Sequence, residues 1–308
     1  MDIVIAGLGG IGGYYGGRLA AAFGGGSAHR VTFFCRGAHL DAIRNEGLEV
    51  RAVDGTFTAC PSFATDRGEN LTPCDLLLVC VKTYDLDVAI REVRPAISPS
   101  TVVLPLANGV NNARAIRNII PGSVVLNGLV YISSFIESPG VVRQIGGSRT
   151  LVFGPETGPT DPFEPLAALL KEAGIAATLS ADIRAEVWSK FIFLSPLAAV
   201  TTLSAKTFGE LQKDAPKMAL LKDLMEEARL VGKALGVTWP PDVVSKSLGK
   251  FEGFPPETKT SMQLDAERGK RTELMELVGS IVEMGKDAGV PTPRYAAVFA
   301  ELRGRVKS

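Results

Sequence analysis

Histidine is nearly absent from this chain: its 308 residues include two, His29 and His39. The four cysteines, Cys35, Cys60, Cys74 and Cys80, form no Cys-x-x-Cys pair. Zinc and iron–sulfur sites draw on closely spaced cysteine and histidine sets, so no metal centre is expected. Scattered cysteines in a chain of this size read as reduced thiols, which points to the cytoplasm. Charge of either sign is not in excess either, since Lys+Arg and Asp+Glu each number 33. A protein that grips a nucleic-acid backbone carries a basic surplus, so that class is set aside. No stretch supplies the about 18 uninterrupted apolar residues of a membrane span. Met1-Asp2 opens no basic segment and glycine breaks the apolar run behind it, so no signal peptide is expected. Internal repeats and low-complexity tracts are missing as well.

What remains is an ordinary globular composition, 46% hydrophobic and 21% charged, which excludes disorder and collagen. At about 150 residues per domain, the length gives two domains, or one large one. The residues favour two. DIVIA at 2–6 reads as a buried strand, and GLGGIGG then opens a helix through YYGGRLAAAF, ended by Gly24-Gly25-Gly26-Ser27. Strands are expected at Arg30–Cys35, Asp75–Val81, Val102–Leu106 and Val124–Ile132. Helices are expected at 38–46, Leu86–Val93 and Asn112–Ile120. A hairpin is expected around Asp54-Gly55. Strands alternating with helices predict a parallel sheet with helical crossovers. Residues 139–154 read as antiparallel strands around Gly146-Gly147, followed by a helix at Asp161–Ala173 and a strand at Ile175–Leu179. From Asp182 onward only helical spacing appears: Glu186–Val200, Pro216–Leu235, Asp242–Phe251, Glu257–Arg268, Thr272–Ala288 and Tyr295–Arg303. The expected fold is α/β, a Rossmann-type dinucleotide-binding domain over residues 1–180, followed by an all-α domain over 181–308.

The chemistry starts at Gly7-Leu8-Gly9-Gly10-Ile11-Gly12. GxGxxG alone is weak, but here it follows a strand and opens a helix, the setting a dinucleotide site requires. Gly7 permits the turn, Gly9 lets the backbone approach a pyrophosphate, and Gly12 lets the helix pack on the strand. The helix N-terminus then offers free N–H groups and the positive end of its dipole. A glycine-rich turn without a ligand is the plain alternative. The second strand ends in Arg36, with no acid in RVTFFCRG. An NAD site usually carries an acid there for the ribose, whereas a guanidinium suits a 2′-phosphate, so NADP is expected. An ordinary solvent-facing arginine is the alternative. Lys82 and Asn108 close two further strands, where open α/β sheets bind ligands. Each has a bland reading as well, a snorkelling cation and an Asn-Gly turn.

Together these residues resemble the ketopantoate reductase family, whose members reduce 2-dehydropantoate to pantoate with NADPH in pantothenate biosynthesis. The resemblance rests on GLGGIG at 7–12, Val81-Lys82, Asn108-Gly109, Trp188-Ser189-Lys190, and Ser261 with Glu273 twelve residues later. It runs from residue 3 to about residue 290 with the motifs in order. It implies a catalytic Lys190 that donates the proton to the keto oxygen. It implies that Glu273 orients that site and contacts cofactor or substrate, and that Ser261 holds the substrate carboxylate. Asn108 would bind the nicotinamide ribose and the substrate hydroxyl, Lys82 the cofactor, and Arg36 the adenosine phosphate. The chemistry agrees. Hydride arriving at a ketone leaves charge on oxygen, which a neighbouring ammonium stabilises and then protonates. Lys190 is followed by Phe191, Ile192, Phe193 and Leu194, so its helix segment is expected to be buried.

The resemblance also has departures. Leu194, Ala198 and Phe208 stand where family members carry asparagines, and Asp85 where a glutamine is usual. The expected activity is NADPH-dependent reduction of a small 2-ketoacid, 2-dehydropantoate first, by a cytoplasmic oxidoreductase. A related hydroxyacid dehydrogenase with another substrate stays open, as does a non-catalytic NADP-sensing protein. The apolar Glu186–Val200 helix leaves a homodimer open too.

Overall fold

The structure, a computed structural model, describes residues 1–25 and 28–308. The chain divides into two compact units, Met1–Ile183 and Arg184–Ser308.

The first unit is built on a six-stranded sheet. Its strands are β1 (Asp2–Ala6), β2 (Arg30–Phe34), β5 (Phe63–Thr65), β6 (Leu76–Val79), β7 (Val102–Pro105) and β8 (Val124–Val125). They lie in the order β5-β2-β1-β6-β7-β8, and every pair is parallel. Counted along the chain within this sheet the order is 3-2-1-4-5-6, that of dinucleotide-binding folds. Leu76, Leu77, Leu78 and Val79 are all fully buried, as a strand covered on both faces requires. Crossovers come from α1 (Gly10–Phe23), α2 (Gly37–Glu46), α3 (Leu86–Glu92) and α4 (Asn112–Ile119). Gly24 is the C-cap of α1; Gly26 and Ser27 of the expected helix end lie outside the described residues.

The other strands form two small sheets. β3 (Leu48–Ala52) and β4 (Gly55–Ala59) make the expected hairpin. They belong to a sheet ordered β10-β11-β3-β4, with β10 (Ser133–Ser138) and β11 (Val141–Gly146). β9 (Asn127–Val130), β12 (Leu151–Gly154) and β13 (Ala177–Leu179) form the third, and α5 (Glu164–Glu172) precedes β13.

Two expectations fail here. Residues 124–132 are not one strand: Leu126 N–H still donates to Val103 O, and past it the chain changes partner to pair with β12. An unbroken apolar run carries no mark of a change of neighbour. Nor do the strands around Gly146-Gly147 pair with each other. The hairpin turns instead at Gly140 (φ +76), joining β10 to β11, and Gly147 (φ +84) carries the chain between sheets. β10 is a nearly wholly exposed edge strand, too polar to reveal itself by apolar alternation.

The second unit is helical: α6 (Ile183–Ser204), α7 (Phe208–Gln212), α8 (Ala215–Ala234), α9 (Val243–Glu252), α10 (Ser261–Glu267), α11 (Ser280–Asp287) and α12 (Pro293–Arg303). A single π-helical turn, Met275–Gly279, precedes α11 and interrupts the helix expected at Thr272–Ala288. α6 is apolar and long enough to cross a bilayer, yet 61% of its most apolar stretch is buried within the protein. Leu197, Ala198, Ala199 and Val200 are all fully buried, so this turn of α6 is enclosed on every side, as in a core helix. Glu227, on α8, accepts the Arg294 and Tyr295 N–H groups at 2.8 and 2.9 Å and so caps α12.

Candidate active site

The sheet register brings one group of candidate residues together within the first unit. Ala6 of β1 lies opposite Phe34 of β2 and Val79 of β6, and Val79 lies opposite Pro105 of β7. Gly9, Lys82 and Asn108 each follow their matched strand position by three residues, and Arg36 follows Phe34 by two. All four therefore emerge at the carboxyl edge of the sheet, in the order Arg36, glycine loop, Lys82, Asn108. The strand order reverses between β1 and β6, where such sheets bind ligands. The Thr83 hydroxyl donates to Asn108 O at 3.3 Å and ties the last two loops together.

The glycine loop is shaped by close approach. Gly7 has φ +91, and a Cβ there would lie 2.7 Å from the Val81 side chain. A Cβ at Gly12 would sit 1.9 Å from Gly7 O. A Cβ built at Gly9 would meet no other atom within 4 Å, so that side of the loop is open where a phosphate meets the first turn of α1. Beside it is a cavity of about 310 Å³, lined among others by Gly7, Gly9, Arg36, His39 and Asp85. Open backbone, helix terminus, cavity and guanidinium together fit a dinucleotide.

Arg36 is exposed and its guanidinium pairs with Glu92 of α3 at 2.5 Å. Sequence reasoning missed Glu92, which lies 56 residues away and belongs to no motif. It also missed His39. The His39 Nδ1 accepts the Gly140 N–H at 3.0 Å, and burial holds the imidazole pKa below its usual value.

The second unit brings Lys190 and Glu273 into electrostatic contact. Lys190 on α6 is half-buried, and the protein packed around its ammonium strips it of solvent. That desolvation pulls its pKa down to about 8, against the opposing pull of the Glu273 carboxylate. Glu273 is 1% exposed and lies two residues before the π-helical turn. Ser261 is exposed at the first residue of α10, whose N-cap is Thr260; the Thr260 hydroxyl accepts the Gln263 N–H. Of the three positions that depart from the family pattern, Ala198 and Phe208 are fully closed off. Phe208 packs edge-on against Phe251 and Phe254. Leu194 alone keeps accessible surface.

Comparison with known proteins gives a consistent result. Residues 3–158 match the ketopantoate reductase PanE/ApbA family model, and residues 182–306 match its C-terminal counterpart. A 2-dehydropantoate 2-reductase of Mesorhizobium japonicum is 30% identical, over 98% of this chain and 97% of its own. A PanE/ApbA family ketopantoate reductase from Ralstonia eutropha JMP134 superposes with a TM-score of 0.89 at 32% identity, covering 98% of this chain and 97% of its own. A 2-dehydropantoate 2-reductase from Porphyromonas gingivalis W83 gives 0.85 at 32% identity, covering 98% and 99%. With a nicotinamide-dinucleotide fold in its first unit and both family models matched along its length, the chain belongs to the ketopantoate reductase family of oxidoreductases.

Proposed function

We propose that this enzyme reduces a 2-ketoacid with NADPH, converting 2-dehydropantoate to pantoate as its named relatives do. The observation that carries the reading is Lys190, an ammonium with its pKa drawn to about 8 beside the buried Glu273. Bound NADPH supplies the hydride. The residues do the rest. The N–H groups at the start of α1, behind Gly9, hold the pyrophosphate, and the Arg36 guanidinium holds the 2′-phosphate. Lys82 and Asn108, at the same sheet edge, hold the nicotinamide half. Ser261 binds the substrate carboxylate. Lys190 Nζ carries the proton that ends on the ketone oxygen, and Glu273 keeps that ammonium charged and oriented. Its free cysteines fit a reducing, cytoplasmic setting, since burial pushes the thiols of Cys35, Cys74 and Cys80 up to about 12.

A second reading concerns the substrate. Leu194, the accessible one of the three positions, offers no hydrogen bond to a substrate hydroxyl where the family pattern carries an asparagine. A hydroxyl buried without a partner costs about 1–3 kcal/mol, while each buried methylene gains about 0.8 kcal/mol. An unhydroxylated branched ketoacid is favoured on that ground.

The test is NADPH oxidation with a panel of 2-ketoacids, run on the parent and on Lys190→Ala. The variant should lose roughly two to four powers of ten in kcat while keeping its NADPH affinity. Parental turnover in the variant would remove Lys190 from the chemistry. In the parent, kcat should fall as pH rises through about 8, because the donor is the protonated form.

A further inference from the structure

Three hydroxyls on α6 show a contrast. Thr201 and Ser204 donate to the carbonyls of their own helix four residues back, Leu197 O and Val200 O, each at 2.7 Å. That is the usual habit of a helical hydroxyl. Ser195 does otherwise. Its Oγ is wholly buried, donates to the Leu277 carbonyl at 2.6 Å, and shares a 2.8 Å hydrogen bond with the equally buried Tyr295 hydroxyl. Leu277 sits inside the π-helical turn Met275–Gly279, and its N–H donates to Glu273 O at 2.9 Å. A continuous path therefore links the two charged residues of the site. It runs from Lys190 along α6 to Ser195, across to Leu277, and back one turn to Glu273.

A π-turn is a costly element. It takes one extra residue into a helical turn and shifts the register of everything before it against everything after. Glu273 lies on the near side of that shift and α11 on the far side. A bond from α6 into the carbonyl at the centre of the turn fixes both that register and its distance from the helix carrying Lys190. We propose that Ser195, supported by Tyr295, is a positioning residue for the Lys190–Glu273 pair. Its bond to the Leu277 carbonyl holds the π-turn in the register that sets Glu273 beside the lysine. The inference rests on the reading of Lys190 as proton donor. Among the described residues, Glu276 within the same turn feels the charge of Glu273, and Arg271 ahead of the turn opposes it by favouring the Glu276 carboxylate.

The experiment follows kcat against pH for the full chain, with NADPH and the best ketoacid of the panel, beside thermal unfolding. The Glu273 charge favours the protonated lysine, so loosening the pair leaves desolvation unopposed and moves the alkaline limb to lower pH. Ser195→Ala should shift that limb down by roughly one pH unit. Glu273→Gln should shift it in the same direction, and the double variant should go no further. A folded Ser195→Ala enzyme with an unmoved limb would overturn the proposal. If that variant does not fold, Tyr295→Phe decides. It spares the bond to Leu277 and should give a smaller shift of the same sign, and an unmoved limb there overturns the proposal equally. Lys190→Met separates the two ideas: if it keeps turnover and an unchanged limb, Lys190 is not the donor and the inference falls with that reading.

Discussion

At the scale of single residues, Arg36 and Glu92 set two interactions against each other. Their ion pair is short but exposed, with side chains 62% and 38% accessible. Exposed pairs are worth only about 0.2–1 kcal/mol. A bidentate contact from a guanidinium to a phosphate is worth on the order of 1.5–3 kcal/mol. The phosphate should therefore win, and Glu92 should only lower its margin. Arg36→Ala is expected to weaken NADPH binding about tenfold or more and to leave NADH nearly unchanged. Glu92→Gln should tighten NADPH binding by a few-fold, because the guanidinium no longer trades a carboxylate for the phosphate. Titration of both variants with both cofactors checks this. Equal losses for NADPH and NADH in Arg36→Ala would remove the arginine from cofactor choice.

At the scale of elements, α1 explains what the sequence could and could not show. Its strand–glycine–helix pattern was legible because a dinucleotide loop has a local signature. The reason for the remaining glycines was not, since it lies in a sheet formed by strands far along the chain. α1 is packed between two sheets. Gly12 and Gly16 face β1 and its loop, and Gly10, Gly13 and Gly17 face Ser134, Val142 and Val50 of the second sheet. The misplaced hairpin has the same origin: β10 is recognisable by its partners rather than by its residues. Lys190 and Glu273 were singled out only through the resemblance to the family's motifs, whereas Ser195, Tyr295 and the π-turn left no sequence mark. The packing of α1 can be tested. A Cβ at Gly13 would lie 2.5 Å from the Val142 side chain, so Gly13→Ala should cost about 1–3 kcal/mol by overpacking. Shortening the opposing side chain with Val142→Ala should recover part of that loss, as read by urea unfolding. Strictly additive losses would mean that the two residues do not share the space.

At the scale of the whole molecule, the proposed roles divide by unit. The glycine loop, Arg36, Lys82 and Asn108 all belong to Met1–Ile183; Lys190, Ser261 and Glu273 all belong to Arg184–Ser308. Each unit has its own buried core, one around Ile5, Phe33 and Leu78, the other around Leu224, Met225 and Leu277. A ligand that binds only the native form of one unit stabilises that unit by mass action. At 100 times its Kd the gain is about 2.7 kcal/mol. NADPH without ketoacid should therefore slow amide hydrogen exchange in β1, α1 and β6, up to about a hundredfold where exchange requires that unit to open. Amides of α8 and α11, in the other unit, should exchange at nearly their unliganded rates. Adding the ketoacid should then extend protection to α6 and to the turn after Glu273, where the proposed proton donor and its partner lie. Uniform protection of both units by NADPH alone would contradict this division, because the cofactor would then draw its binding energy from the helical unit as well.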